Sequence, residues 1–120
     1  MLLVEDNDVY RESLVFLLGR VDGVGVVGAV AVGGSAARVC AELRADVAVV
    51  DFRLPDISGS EVAAEIHERC PDAAVVFLSA SAGREEEDAA RSAGAALVRK
   101  DDGVDALVGA VRAAAGREEP

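Results

Sequence analysis

The sequence predicts one α/β domain whose core is a parallel β-sheet. Five short apolar stretches alternate along the chain with five segments whose apolar residues recur at helical spacing. Residues 47–50 are all apolar and end on Asp51, which is typical of a strand buried on both faces. Strict alternation of strands and helices favours right-handed crossovers, which place helices on both faces of the sheet. With 120 residues, 52% of them apolar, the chain can bury a core of its own.

The first half of the chain is predicted to contain two strands and two helices. Residues 2–4 form the first strand, and Asn7 or Asp8 caps the first helix. The apolar stripe of this helix consists of Leu14, Leu17, Leu18 and Val21. The valine-rich residues 24–32 form the second strand, and Ser35 caps the second helix. The inner face of the second helix consists of Ala36, Val39, Cys40 and Leu43.

The central strand ends at Asp51, and a turn leads from it into the third helix. Ser58 and Glu61 have the spacing of a capping box, so this helix begins there and ends before Pro71. Its inward apolar side chains are Val62 and Ile66.

Two further strands and two further helices complete the predicted domain. Residues 73–78 form the fourth strand, and residues 84–93 form the fourth helix. The inner face of the fourth helix is made of small residues, Ala89, Ala90 and Ala93. We therefore expect it to be the least firmly anchored helix. Residues 95–98 form the last strand, and Asp101 or Asp102 caps the final helix. The final helix turns inward Val104, Leu107, Val108 and Val111.

Composition narrows the class of protein. The formal net charge of −10 argues against direct contact with nucleic acid, because phosphate contacts need Lys and Arg. The sequence has no apolar run long enough to span a membrane and no secretion signal at its start. Cys40 and Cys70 lack the C-x-x-C spacing and are predicted to be buried free thiols within helices. We therefore expect a cytoplasmic protein that has no membrane partner.

Polar side chains follow four of the predicted strands. Glu5 and Asp6 follow the first strand, Asp51 ends the central strand, Ser79 follows the fourth, and Lys100 lies just after the last. Because the carboxyl ends of parallel strands meet at one edge of a sheet, these side chains are expected to lie together. Such an excess of carboxylates either raises a carboxyl pKa or binds a cation. Hard oxygen ligands of this kind suit Mg²⁺.

This set of residues suits transfer of a phosphoryl group. Asp51 is the candidate nucleophile. Mg²⁺ and the ammonium of Lys100 would neutralise charge on the equatorial oxygens of the group, and Ser79 would donate a hydrogen bond to one of them.

Four motifs carry a resemblance to a known family. They are Leu-Leu-Val-Glu-Asp at 2–6, Val-Val-Asp-Phe-Arg-Leu-Pro-Asp-Ile-Ser-Gly at 49–59, Phe-Leu-Ser-Ala at 77–80, and Gly-Ala at 94–95 leading to Lys100. With these motifs the chain resembles the receiver domain of bacterial two-component response regulators. The resemblance implies a flavodoxin-like (CheY-like), doubly wound, five-stranded parallel sheet with five helices and the strand order 2-1-3-4-5. The receiver domain is expected to span 1–115, with 116–120 a tail or the start of a linker to an output domain.

The resemblance also implies how the domain works. Asp51 accepts a phosphoryl group from a sensor histidine kinase, and Mg²⁺ binds to Asp6, Asp51 and the backbone carbonyl of Arg53, with Glu5 acting through water. Ser79 matches the switch hydroxyl and Lys100 the family's lysine. Such a domain is a signalling switch rather than an enzyme, because it catalyses only its own phosphorylation and dephosphorylation. We expect it to form a homodimer and to reach DNA only through an output domain outside this chain.

The chain departs from the family pattern at two positions near Lys100. The family usually has a proline after this lysine, joined to it by a cis bond, whereas Asp101 follows here. Leu97 occupies the position that usually carries the switch aromatic. Inward rotation of an aromatic ring is therefore not the expected readout. A lysine followed by aspartate is similar to regulators of the LuxR and NarL type, which carry a helix-turn-helix output domain.

Other interpretations of the sequence have less support. Residues 23–28 match G-x-G-x-x-G, but a dinucleotide site must follow a strand and open a helix, and this segment follows a helix and is strand-like. A haloacid-dehalogenase-like phosphatase needs a second aspartate where the chain has Arg53. His67 is expected to be a solvated surface residue, and Tyr10 to be partly buried with its hydroxyl at the surface. A receiver-like module that binds proteins without phosphorylation remains the alternative function.

Overall fold

The computed structural model describes residues 1–116 and contains one five-stranded parallel sheet. Its strands are β1 (Leu2–Val4), β2 (Gly28–Val30), β3 (Val47–Asp51), β4 (Ala74–Ser79) and β5 (Ala96–Arg99). Their order in the sheet is β2-β1-β3-β4-β5, with β3 at the centre. The predicted doubly wound fold with the strand order 2-1-3-4-5 is therefore confirmed.

Within residues 1–116, five α-helices connect or follow the strands, as predicted. They are α1 (Asp8–Leu18), α2 (Ala36–Leu43), α3 (Gly59–Arg69), α4 (Arg84–Ala93) and α5 (Gly103–Gly116). Short 3₁₀ turns precede α2 at Gly33–Ser35 and α5 at Lys100–Asp102. None of the helices within residues 1–116 is both long and apolar enough to cross a membrane.

Each face of the sheet has its own apolar core. Helices α1 and α5 pack on one face, in a cluster that includes Leu18, Leu107 and Val49. Helices α2, α3 and α4 cover the other face, where the cluster includes Ile66 and Val50. Successive side chains of β3 alternate between the two clusters, since neighbouring residues of a strand point to opposite faces. All of β3 is buried, which confirms that the strand is covered on both faces.

The first helix and the second strand are shorter than predicted. Helix α1 ends at Leu18, so Val21 lies beyond it, and Leu17 is 42% exposed. Strand β2 covers only Gly28–Val30 rather than residues 24–32. The reason is its position at the edge of the sheet, where its one partner is β1 and β1 has only three residues to pair with. The predicted cap Asn7 is confirmed, because its side chain accepts a hydrogen bond from the backbone N–H of Tyr10.

The start of α2 is also built differently from the prediction. Ser35 belongs to the 3₁₀ turn, and its hydroxyl donates to the carbonyl of Val32 instead of capping the helix. Leu43 is 42% exposed, while Ala37 takes a buried place on the inner face beside Ala36 and Cys40. The small side chains allow α2 to lie close to the sheet.

The turn from β3 into α3 is fixed by two features of the sequence. The hydroxyl of Ser58 accepts a hydrogen bond of 3.1 Å from the backbone N–H of Glu61, so the predicted cap is confirmed. The N–H of Gly59 donates to the carbonyl of Phe52 at 3.0 Å. A Cβ at Gly59 would lie 2.8 Å from the Cα of Phe52, which leaves room for glycine alone. These contacts hold the loop that carries Arg53 against the end of β3.

The predicted inner face of α4 is confirmed in part. Ala90 is buried, and Ala89 and Ala93 are half-buried against the same core. The prediction omitted Glu86, which is only 4% exposed. The expectation for His67 was wrong, because this side chain is half-buried and its Nε2 hydrogen-bonds the carbonyl of Ala93 at 2.9 Å. The end of α4 is therefore tied to α3.

Three smaller predictions have mixed outcomes. Cys40 is a buried free thiol within α2, but Cys70 is half-buried and lies just after the end of α3. Gly116 is the last residue of α5, and residues 117–120 of the predicted tail lie outside the described residues. Asp101 and Asp102 belong to the 3₁₀ turn, and α5 begins at Gly103.

Candidate functional site

The five polar side chains that follow the strands all stand at the carboxyl edge of the sheet. Glu5, Asp51 and Ser79 are buried, Lys100 is half-buried, and Asp6 is exposed to solvent. Strand β3 lies between β1 and β4, so it places Asp51 at the centre of this edge. The fold thus brings together the carboxylates that the sequence predicted, with one of them open to solvent.

Three carboxylates form a compact cluster at this edge. One oxygen each from Glu5, Asp6 and Asp51 lies within 4.8 Å of the other two. The separation is short enough for one small cation to contact all three groups. The mixture of two buried groups and one exposed group leaves a solvent path to the cluster.

The ammonium of Lys100 bridges two of these carboxylates. Its Nζ lies 2.8 Å from Oε1 of Glu5 and 3.3 Å from Oδ2 of Asp51. It also lies 4.6 Å from the ring centroid of Tyr10, over the aromatic face. Burial opposes the charge of Lys100, but the hydrogen bonds and the negative charge of the two carboxylates outweigh it and raise the pKa of the lysine. Lys100 is therefore held as a cation within the site.

Backbone donors fix the remaining carboxylate oxygens. The N–H of Arg53 donates to Oδ1 of Asp51 at 3.1 Å, and the N–H of Asn7 donates to Oε2 of Glu5 at 3.0 Å. The guanidinium of Arg11 donates to the backbone carbonyl of Glu5 at 2.8 Å. Both carboxylates are thus oriented before any ligand binds. Tyr10 is half-buried, as predicted, and burial is the main cause that raises its pKa.

Ser79 lies one position beyond the residue that pairs with Asp51. Leu78 is the register partner of Asp51 across β3 and β4, and Ser79 follows it. The hydroxyl of Ser79 accepts a hydrogen bond of 3.3 Å from the backbone N–H of Ser81. The position of this hydroxyl therefore depends on the loop between β4 and α4.

The structure accommodates Asp101 and Leu97, the two departures from the family pattern. No peptide bond within residues 1–116 is cis, so Lys100 and Asp101 are joined in trans. Lys100 nevertheless reaches Glu5 and Asp51 from the 3₁₀ turn that it begins. Leu97 is half-buried and packs against the core on the α4 side of the sheet.

Two charged side chains near the site escaped the sequence analysis. Asp56 accepts hydrogen bonds from the backbone N–H groups of Gly33 and Gly34, at 3.1 Å and 2.8 Å. The bond from Gly34 is the largest cause that lowers the pKa of Asp56. The bond joins the loop after β3 to the turn before α2, across 22 residues of chain, so no local pattern predicts it. The other side chain is Glu86, whose one local signal is its place in the first turn of α4.

The comparisons with known proteins agree with this fold. Residues 1–112 match the model of the response regulator receiver domain family. The chain is 29% identical over 113 residues to the response regulator GacA of Pseudomonas aeruginosa, covering 93% of this chain and 53% of that protein. It is 44% identical over 82 residues to the DNA-binding transcriptional activator DevR/DosR of Mycobacterium tuberculosis, covering 66% of this chain and 36% of that protein.

A solved structure extends the similarity to the whole domain. The two-component response regulator of the LuxR family from Aurantimonas sp. SI85-9A1 superposes with a TM-score of 0.89 at 30% identity. The match covers 96% of this chain and 83% of that chain. The predicted resemblance to regulators of the LuxR and NarL type is confirmed by these relatives. This chain therefore belongs to the response regulator receiver domain family.

Proposed function

We propose that this domain is a phosphorylation switch in which Asp51 accepts a phosphoryl group from a sensor histidine kinase. The observation that carries the proposal is the contact of Lys100 with both Glu5 and Asp51 beside a cluster of three carboxylates. This arrangement presents one carboxylate as a nucleophile, one ammonium as a fixed positive charge, and hard oxygen ligands for a cation.

The residues present fit a bound Mg²⁺. The cluster offers oxygen donors only, and it is open to solvent at Asp6, which suits an ion that keeps several waters. We assign Asp6, Asp51 and the backbone carbonyl of Arg53 as direct ligands, with Glu5 acting through water. When bound, Mg²⁺ supplies positive charge that offsets the negative charge of the phosphoryl oxygens.

The chain's own residues perform the transfer. A carboxylate oxygen of Asp51 forms a bond to phosphorus while the bond between phosphorus and the histidine nitrogen of the donor breaks. Lys100 stays protonated and attracts one phosphoryl oxygen, and Ser79 donates its hydroxyl to another. Hydrolysis of the resulting acyl phosphate returns Asp51 to its starting state. The domain acts as a signalling switch that modifies only itself.

The likeness to longer regulators supports an output beyond this chain. The chain spans about half the length of GacA and about a third of the length of DevR/DosR. We propose that residues 1–115 form a cytoplasmic receiver domain, and that residues 116–120 begin a linker to a DNA-binding output domain. We further propose that phosphorylation favours a homodimer of such a regulator and thereby controls transcription.

The second candidate function is a receiver-like module that binds partner proteins without phosphorylation. It is favoured by the replacement of the switch aromatic by Leu97 and of the usual proline by Asp101. A Mg²⁺ titration followed by calorimetry separates the two. We expect the wild type to bind Mg²⁺ and the Asp51→Asn variant to bind it more weakly, because a charged ligand is lost. Equal affinity in the two proteins would favour the module that acts without phosphorylation.

A further inference from the structure

Glu86 is a buried carboxylate that the proposed mechanism leaves unexplained. Among residues 1–116 the buried polar or charged residues are Glu5, Asp51, Ser79 and Glu86. The other three belong to the site at the end of the strands. A Glu is rarely buried unless it has partners, so the contacts of Glu86 indicate what it does.

One oxygen of Glu86 contacts two loops at once. The hydroxyl of Ser81, in the loop after β4, donates a hydrogen bond to Oε2 of Glu86. The guanidinium of Arg53, in the loop after β3, lies 4.0 Å from the same oxygen. Arg53 also lies 3.3 Å from Oε1 of the neighbouring Glu85. Helix α4 therefore holds both loops through its first turn.

The two partners of Glu86 are bonded directly to residues of the site. The backbone N–H of Arg53 donates to Oδ1 of Asp51 at 3.1 Å. The backbone N–H of Ser81 donates to Oγ of Ser79 at 3.3 Å. Each partner lies two residues after the site residue that it contacts. Arg53 therefore connects Glu86 to Asp51, and Ser81 connects Glu86 to the hydroxyl of Ser79.

A local role explains only part of this arrangement. Helix α4 begins after Gly83, which has no side chain to cap the helix, and a carboxylate in the first turn can accept from the free backbone N–H groups. An exposed carboxylate would serve that purpose equally well. Glu85 and Glu87 lie in the same first turn and are both exposed. Capping therefore accounts for neither the burial of Glu86 nor its contacts with Ser81 and Arg53.

We propose that Glu86 is a positioning residue that ties the loops after β3 and β4 to α4 in the unphosphorylated state. The inference rests on the proposed phosphorylation of Asp51. A phosphoryl group on Asp51 brings negative charge to the loop that carries Arg53, and it competes with Glu86 for the guanidinium. Loss of that attraction weakens the hold of α4 on the loop after β4, so Ser79 becomes free to turn toward the phosphoryl oxygens.

The test compares Glu86→Gln with Glu87→Gln in binding beryllofluoride in the presence of Mg²⁺. Both substitutions remove one charge from the same turn, but only the first removes the contact with Arg53. If Glu86 stabilises the resting state, Glu86→Gln should bind beryllofluoride about twofold to fivefold more tightly, in the range expected for one partly exposed ion pair. Glu87→Gln should bind as the wild type does. Hydrogen exchange should also become faster at the amides of residues 81–90 in Glu86→Gln alone.

Further variants separate positioning from a merely structural role. In an Arg53→Gln background, the effect of Glu86→Gln on affinity should shrink, because the partner has already been removed. If Glu86→Gln does not fold, Ser81→Ala takes its place and should also bind the probe more tightly. An unchanged or weaker affinity in the variant that folds would overturn the inference. Failure of the wild type itself to bind beryllofluoride would instead contradict the proposed function.

Discussion

The ammonium of Lys100 lies 2.8 Å from Oε1 of Glu5, although 95 positions separate the two residues in the chain. The contact joins the end of β5 to the end of β1, across the central strand that carries Asp51. Lys100 is the single lysine of the sequence, and the other members of its Lys and Arg set are all arginines. A compact ammonium with three donors can serve two carboxylates and still remain available to a third group.

The first prediction concerns the removal of that ammonium. Lys100→Met should lower the free energy of unfolding by about 1–3 kcal/mol, since it leaves the buried carboxylates of Glu5 and Asp51 without their charged partner. Urea denaturation measures this change. Arg38→Met is the control, because Arg38 is exposed and pairs with an equally exposed carboxylate, that of Glu42. An equal loss in both variants would mean that the contacts of Lys100 are not stabilising.

The second prediction concerns the acid side of the stability profile. Hydrogen bonds from the backbone of Gly34, and then of Gly33, lower the pKa of Asp56 against the opposing effect of burial. A lowered pKa contributes stability above the unfolded value of about 3.9, and this contribution is lost as the pH falls through the folded value. The difference in unfolding free energy between the wild type and Asp56→Asn should therefore be present at pH 6 and should vanish once the pH is below the folded pKa of Asp56. A difference that stays constant with pH would contradict this account.

The third prediction concerns the close approach of α3 to the loop after β3. Gly59→Ala should cost about 1–3 kcal/mol, because its Cβ would meet the backbone of Phe52, which cannot move aside without shifting the loop. Gly109→Ala is the matched control within α5, where a Cβ meets nothing within 4 Å. That substitution should stabilise the protein by about 0.5–1 kcal/mol, through the better helix propensity of alanine. Thermal denaturation of both variants checks the pair, and a stable Gly59→Ala would disprove the steric argument.

The fourth prediction concerns the mobility of α4. The inner face of α4 is made of alanines and Glu86, whereas α5 buries Leu107, Val108 and Val111. Amide hydrogens in the middle of α4 should therefore exchange faster than those in the middle of α5. Exchange followed by NMR measures both helices in one sample. Equal protection would show that the tie between His67 and Ala93, together with Glu86, anchors α4 as firmly as an apolar face does.

The sequence was sufficient to predict the order of the elements and the site at the end of the strands. The alternation of strands and helices, together with a polar residue after four of the five strands, depends on local patterns that packing does not change. The boundaries of β2 were not predictable in this way, because its length depends on what β1 offers for pairing.

Contacts between distant segments could not be predicted from the sequence either. From the sequence, Glu86 is expected to be a surface residue, because it lies in a charged first turn. It is buried because α4 lies beside Ser81 and Arg53. From the sequence, Asp56 is expected to be a turn residue. The hydrogen bond that it accepts from Gly34 depends on how the loop after β3 meets the turn before α2. Leu17 and Leu43 fit the apolar spacing of their helices but are 42% exposed, and both lie in the last turn of their helix.

The most direct measurement is intact-mass spectrometry after incubation with acetyl phosphate and Mg²⁺. The proteins compared are the wild type, Asp51→Asn and Asp56→Asn, the last being a change of the same kind in the loop that follows Asp51. We expect the wild type and Asp56→Asn to gain one phosphoryl group and Asp51→Asn to gain none. No gain in a folded wild type, or an equal gain in Asp51→Asn, would contradict the assignment of Asp51 as the phosphoacceptor.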